Sequence, residues 1–367
     1  MSMADLLETA GTLPLVSPDH WTLFRQNRTS LVQEMDTALS ARPDIMTLLG
    51  NNALAIMEQN HRHHADFMVS VFKLGDFQLL ARNLPWIYRS YHAHGFNFDY
   101  FQVELDQWRR CIRDMLPPAV SAAIIPIYDW MLDQHERVVA LALAAPQVST
   151  TLVPEAEVLK SAFVAAALRG DSRSCVKIAS DSVPSVMDME AFYLQVLQPA
   201  LHKVGQLWEN AEISVAQEHL AAAIVNRVMA IFNNEMPLTE TWRGSILVSA
   251  APSEFHEIGA RMLADVLELD GWEILFTGAN VPLDQLMLLI EEASPDILAI
   301  SVTIPAHLAG AQDIIEAARN SQLCAGMKIL VGGGAFRESD DLWEKMGADG
   351  YALDAREAKE LVRTWQD

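Results

Sequence analysis

The chain has 367 residues, 51% of them hydrophobic, and 48 acidic against 26 basic residues give it a formal charge of -22. That length allows about two to three domains, each with its own core. The charge argues against a basic face for nucleic acid or an anionic membrane. Three widely spaced cysteines, Cys111, Cys175 and Cys324, exclude a disulfide framework and a cysteine zinc site. The opening MSMADLLETA carries acids and no basic flank, unlike a signal peptide. No apolar run approaches the ~20 residues of a membrane span. A cytoplasmic protein with no membrane contact and no direct DNA contact is the expectation.

In chain order, residues 1 to 17 carry weak signals and read as a flexible lead. SPDHW at 17–21 starts a helix, with Ser17 as N-cap and Pro18 at the first helical position. Amphipathic segments then run to Ala144, broken at ARPD (41–44), LGD (74–76), HGFN (94–97) and the proline pair 117–118. APQVSTTLVP (145–154) reads as a linker. A second helical stretch, 154–235, breaks at 169–172 and 183–188 into about four helices, as in an antiparallel bundle. Its longest helix is read from AEISVAQEHLAAAIVNRVMAIF. A second linker is placed at 237–244.

The period then changes. SILVSAA (245–251), EILFTGA (273–279), DILAISVTI (296–304), KILVGGG (328–334) and the weaker DGYALD (349–354) are of strand length. Helix-length stretches 257–270, 282–294, 306–322 and 337–347 alternate with them, and a last helix runs to Trp365. Alternating β and α with near-continuous apolar strands predicts a parallel sheet covered on both faces, in the flavodoxin-like Rossmann order. The fold class expected is therefore multidomain α and α/β. A helical N-terminal domain spans 1–150, a four-helix bundle 151–240 and a Rossmann domain 241–367.

Ligands of such sheets bind beyond the carboxyl ends of the strands. The unusual residues collect there: Glu254, Phe255, His256 and Gly259 after the first strand, Ser301, Val302 and Thr303 at the end of the third, and Gly332, Gly333 and Gly334 at the end of the fourth. The glycines permit close backbone approach. A carboxylate two residues before a histidine can hold one ring nitrogen and leave the other for a metal. Taken singly, His256 reads as a surface loop histidine and the glycines as a tight turn; sharing one rim, they make a site.

Glu254-x-His256-x-x-Gly259, then Ser301-Val302-Thr303, then Gly332-Gly333 resemble the cobalamin-binding fingerprint Asp-x-His-x-x-Gly, Ser-x-Leu, Gly-Gly, with about 45 and about 30 residues between the parts. The resemblance implies His256 as lower axial ligand of cobalt, with the nucleotide tail beside the Ser and Gly-Gly segments. Glu254 replaces the usual Asp, and Thr303 the usual Leu. In the bundle, Trp208, nine residues, then Glu218-His219 matches the signature of light-sensing cobalamin regulators of the CarH type. That likeness implies adenosylcobalamin, with Trp208 capping its upper face, Glu218 on the ribose hydroxyls and His219 beside the adenosyl group. The chemistry is reasonable, because an indole is a flat apolar cap and a carboxylate accepts from vicinal hydroxyls. In these sensors the residue after the tryptophan is a histidine; here it is Glu209.

The basic DNA-binding domain of CarH-type repressors has no counterpart in residues 1–150. Nine of the 32 residues in 77–108 are aromatic, and seven of the eleven histidines precede residue 150. This character is faintly globin-like. The whole arrangement resembles the photocobilins, photoreceptors that use cobalamin and biliverdin. That resemblance implies a noncovalent biliverdin, with Tyr88, Arg89, Tyr91, His92 and His94 as the contacts and Tyr88, Tyr91 and His92 on one helix face. Haem on one of these histidines competes with it, as does an ordinary aromatic core.

The leading expectation is a non-enzymatic light sensor in which breaking of the cobalt–carbon bond changes conformation or oligomeric state. With no output domain after the sheet, the signal is expected to pass to a protein partner. The alternatives are a corrinoid carrier of a methyltransferase system, or a haem-containing sensor with cobalamin.

Overall fold

A computed structural model describes residues 2–50, 52–144, 152–234, 242–339 and 341–366. The linker readings at 145–154 and 237–244 fall largely outside these described residues. The chain divides into two compact units, Met1–Gln147 and Val148–Asp367.

The first unit runs α1 (Met3–Ala10), α2 (Pro18–Ser40), α3 (Ile45–Leu48), α4 (Leu54–Leu74), α5 (Phe77–Ala93), α6 (Asp99–Met115), α7 (Pro118–Asp133) and α8 (His135–Ala144). The expected flexible lead is in part the helix α1. Ser2 and Asp5 form a reciprocal capping box at its start, and its Leu6 and Ala10 are buried. Pro18 opens α2 as expected, but the Ser17 side chain makes no cap hydrogen bond. The breaks fall where glycine or proline stands: Gly75 ends α4 in the left-handed conformation, and Pro117 and Pro118 separate α6 from α7. Helix α2 packs on α4 and α6, and α5 on α8.

The second unit begins with the bundle: α9 (Pro154–Leu168), α10 (Ser172–Ser182), a continuous helix made of α11 (Met189–Phe192), a π turn (Tyr193–Leu197) and α12 (Gln198–Glu209), then α13 (Val215–Asn234). Helix α13 starts later than the pattern suggested. Ser214 and Gln217 close a capping box, which fixes Val215 as its first residue. The sheet domain follows as β1 (Ser245–Ala250), α14 (Ile258–Leu269), β2 (Glu273–Gly278), α15 (Leu283–Ala293), β3 (Ile297–Ser301), α16 (Leu308–Asn320), β4 (Lys328–Gly332), α17 (Leu342–Lys345), β5 (Gly350–Ala352) and α18 (Ala355–Thr364). All neighbouring strands are parallel, in the order β2-β1-β3-β4-β5. Ile246 to Ala250 and Ile297 to Ile300 are buried, as strands covered on both faces require. The helix expected at 337–347 shrinks to a 3-10 turn, Gly334–Glu338, and the short α17.

Bundle and sheet share one core. Phe163, Phe192, Tyr193, Val228 and Phe232 of the bundle cluster with Met262 and Val266 of α14 and Ala355 of α18. Polar links brace this seam. The Tyr193 hydroxyl donates to Asp265 (2.8 Å), Asn233 donates to its other oxygen (3.3 Å), and Arg356 and Lys359 pair with Glu190. Burial pushes the Asp265 carboxyl up to about 6, against the Tyr193 hydrogen bond that favours its charge.

Candidate functional site

The carboxyl edge of the sheet gathers the loops after β1, β3 and β4. Strand β1 ends at Ala250, and a tight loop leads to α14. Ser253 in that loop adopts a positive φ of 67° and is tied to the loop after β2, its N–H donating to Asn280 Oδ1 (3.0 Å). Next in sequence, Glu254 is fully buried, while Phe255 is 70% exposed.

Glu254 organises the rim. Its Oε1 accepts from His256 twice, from the backbone N–H (3.0 Å) and from Nδ1 (2.5 Å). Its Oε2 accepts from the backbone N–H groups of Thr303 (2.8 Å) and Ile304 (3.0 Å) and from His307 Nδ1 (3.1 Å). Burial alone would raise the pKa of this carboxyl. The hydrogen bonds from His256 and His307 outweigh that and hold it well below the usual carboxylate range. The same hydrogen bond to Glu254 raises the pKa of His256, with a smaller contribution from the charge of Glu218 in the bundle. The influence of Glu218 brings the start of α13 to the same region as His256.

Because a carboxylate only accepts, His256 Nδ1 carries the proton and Nε2 of the neutral ring keeps its lone pair. The ring is 53% exposed. In front of the same loop, a Cβ at Gly259 would meet nothing within 4 Å. An outward imidazole nitrogen with a locked tautomer, beside open space, suits an axial nitrogen ligand to the metal of a large flat cofactor.

The glycine segment has a different local reason from the one its sequence suggested. Gly333 has φ 102°, and a Cβ there would come within 2.2 Å of the Val302 carbonyl oxygen. Gly332 and Gly334 would meet the carbonyl oxygens of Ala352 (3.0 Å) and Thr303 (3.1 Å). The close approach is thus between the chain's own segments: Val302 N–H donates to Gly332 O (2.9 Å), and Ala335 N–H to Val302 O (3.1 Å). Ser301 ends β3 opposite Gly332. The strand stops there, short of the expected 304, because Thr303 and Ile304 give their N–H groups to Glu254.

At the bundle end, Trp208 lies in the last turn of α12, and Glu218 and His219 in the first turn of α13. The turn between them, with Ala211 at φ 56°, folds both helix ends to one side. His219 Nδ1 is hydrogen-bonded to Glu218, and its ring is 77% exposed. This repeats the carboxylate–histidine pairing of Glu254 and His256. Glu209, where CarH-type sensors carry a histidine, is half-buried at the end of α12.

In the first unit, Tyr88, Tyr91 and His92 do share one face of α5. That face is already filled. Tyr88 stacks on Phe101 with centroids 3.7 Å apart, Tyr91 tilts on Phe96 and Phe101, and His92 stacks on Phe98 at 4.1 Å. His94 Nδ1 bonds Ser90 O (2.8 Å), and Arg89 is half-buried. The interior carries polar groups that sequence reading missed. His61 lies between Asp36 (2.6 Å) and the Tyr100 hydroxyl (3.1 Å), and His64 stacks on Trp108 and bonds the Tyr128 hydroxyl (3.0 Å). Glu104 is buried among these tyrosines, and burial raises its pKa to about 8. A period of three to four residues along α6 (Tyr100, Glu104, Trp108) was the available signal.

A cleft of about 660 Å³, lined by Trp242, Trp272 and Trp365, lies at the opposite, amino edge of the sheet. Among the described residues, no helix is long and apolar enough to cross a membrane.

Residues 244–362 match the model of a B12 binding domain family, and residues 159–233 match a second B12 binding domain family. The chain is 30% identical over 215 residues to the HTH-type transcriptional repressor CarA of Myxococcus xanthus, covering 58% of this chain and 69% of that protein. It is 27% identical over 191 residues to dimethylamine corrinoid protein 2 of Methanosarcina acetivorans, covering 50% of this chain and 87% of that one. The HTH-type transcriptional repressor CarH of Myxococcus xanthus matches at 26% over 193 residues, 53% of this chain and 63% of that protein.

Proposed function

The chain belongs to the family of B12-binding proteins that includes CarA, and from that premise we propose that it is a light sensor built on adenosylcobalamin. The observation that carries the reading is the pair of carboxylate-held histidines: His256 on the sheet rim, and His219 at the bundle end whose Glu218 acts on His256. His256 Nε2 is the lower axial ligand of cobalt. The loops at Gly259, Ser301, Val302, Thr303 and Gly332 to Gly334 receive the rest of the cofactor, with Phe255 on its rim. Trp208 covers the upper face and Glu218 accepts from ribose hydroxyls. Adenosylcobalamin supplies a cobalt–carbon bond that light can break. The protein's part is to report the loss of the upper group by moving the bundle against α14 and α18, across the seam of Tyr193–Asp265 and Glu190–Arg356. The output is a change of conformation or of oligomeric state, read by a protein partner.

Biliverdin is the second chromophore of this proposal and belongs to the N-terminal unit. With Tyr88 and Tyr91 committed to the aromatic core, Arg89 and His92 at the surface of α5 are the groups for its propionates. A second reading, a corrinoid carrier, is favoured by the match over 87% of a dimethylamine corrinoid protein.

The test is one absorbance experiment. Full-length protein is purified in the dark with adenosylcobalamin, with and without biliverdin, then illuminated with green light. A cobalamin spectrum that changes on illumination, with a red bilin band that survives gel filtration, is the expected result. A cobalamin band indifferent to light, with no bilin retained, moves the assignment to the carrier.

A further inference from the structure

Glu254 serves two histidines. One is His256, two residues away; the other is His307, which closes the 3-10 turn Pro305–His307 ahead of α16. His307 is 15% exposed at its side chain, and the carboxylate between the two rings is wholly buried. Both rings approach through Nδ1. Resting on the axial-ligand reading above, we propose that His307 is a positioning residue for His256, acting through Glu254 to fix the direction and tautomer of the nitrogen presented to cobalt.

The physical case is geometric. Oε1 is held by His256 alone, with its backbone N–H and its ring. Oε2 is held by three donors, of which His307 supplies the side chain. A carboxylate is planar, so the direction of Oε1 toward the His256 ring is set by where Oε2 is pinned. The Thr303 and Ile304 N–H groups come from one peptide segment, and the His307 ring is a further anchor set a turn of chain beyond it. Removing that ring from a buried site frees the carboxylate to turn toward the two backbone donors and draws Oε1 off Nδ1. The glutamate itself fits this role. Its carboxylate spans from the loop after β1 to the loop after β3, and an aspartate in the same place would stop one methylene short. The unusual Glu254 and the histidine at 307 therefore explain each other.

The test uses full-length protein and three variants: His307→Leu removes the donor, His307→Asn restores a donor near the Nδ1 position, and His256→Ala removes the proposed ligand. The first readout needs no cofactor: nitrogen NMR of histidine-labelled protein reports the His256 tautomer. The second is hydroxocobalamin titration, followed by electron paramagnetic resonance of the reduced Co(II) form, where an axial imidazole splits the signal. The expected result for His307→Leu is a mixed His256 tautomer, affinity lower by roughly 10- to 100-fold, the usual cost of losing an outer partner of a metal ligand, and a fraction of signal without imidazole splitting. His307→Asn should recover most of each. If His256→Ala removes the splitting while His307→Leu leaves tautomer, affinity and splitting as in wild type, the axial reading stands and the role of His307 is overturned. If His256→Ala itself leaves the splitting intact, the axial reading falls and this proposal falls with it. Should His307→Leu not fold, His307→Phe provides the donor-free ring in its place.

Discussion

The two units use histidine in opposite ways. In the helical unit, His61 is fully buried between Asp36 and Tyr100, and His64 is stacked on Trp108 with its Nε2 on Tyr128. In the second unit, His256 and His219 each give one nitrogen to a carboxylate and turn the ring outward, 53% and 77% exposed. The rings are chemically the same. What differs is whether both nitrogens are spent inside the protein. A histidine with both nitrogens engaged in a core supports that core; one with a single nitrogen latched and the other open is prepared for something from outside.

Substitution should separate the two kinds most strongly. His61→Ala should destabilise the first unit by about 3 kcal/mol or more, by opening a cavity and stranding the Tyr100 hydroxyl and the Asp36 carboxylate, with little change in cobalamin affinity. His256→Ala should do the reverse, losing cobalamin affinity by roughly 100-fold with a melting temperature close to wild type. Thermal unfolding and hydroxocobalamin titration of both variants measure this; a common pattern in the two would erase the distinction.

The interior of the first unit also makes a pH prediction. Glu104 titrates near 8 in the fold, raised by burial from 4.5, so its contribution to stability is complete below pH 4.5 and is lost as the pH rises through 8. His64 is lowered by burial, and less by His61, from 6.5 to about 3, so its contribution is present above pH 6.5 and is lost as the pH falls toward 3. Glu104→Gln should therefore flatten the alkaline loss of stability and leave the acid limb unchanged. Denaturant unfolding from pH 5 to 9 checks this, and parallel curves for variant and wild type would refute it.

The smallest effect sharpens the rim side of the comparison. Trp208→Ala should weaken adenosylcobalamin about tenfold, consistent with loss of a stacking indole, and hydroxocobalamin less. Equal losses for the two would take Trp208 off the upper face.

Much of the sheet domain was legible because a buried parallel sheet writes itself as short apolar runs, and the strand order followed from five alternating units. The rim was legible through the spacing of Glu254, His256 and the glycines. His307 was not, because it lies 51 residues beyond His256 and only the reach of one glutamate side chain joins them. The strand expected to reach 304 ended at Ser301 for the same reason. Helix α1 was missed although Ser2 and Asp5 signalled it. In α5 and α6, composition marked an aromatic concentration but could not say whether those rings would face a ligand or one another; Tyr88 on Phe101 shows the latter for that pair.

Glu254 has a consequence for how such a domain can be altered or inherited. One carboxylate is shared by two loops that are separate in the chain, so neither loop is an independent module. A deletion between Ser301 and His307, or transfer of the Glu254–Gly259 segment alone into another sheet, would carry over half of a joint. Changes in the two stretches should be tolerated together and rejected apart.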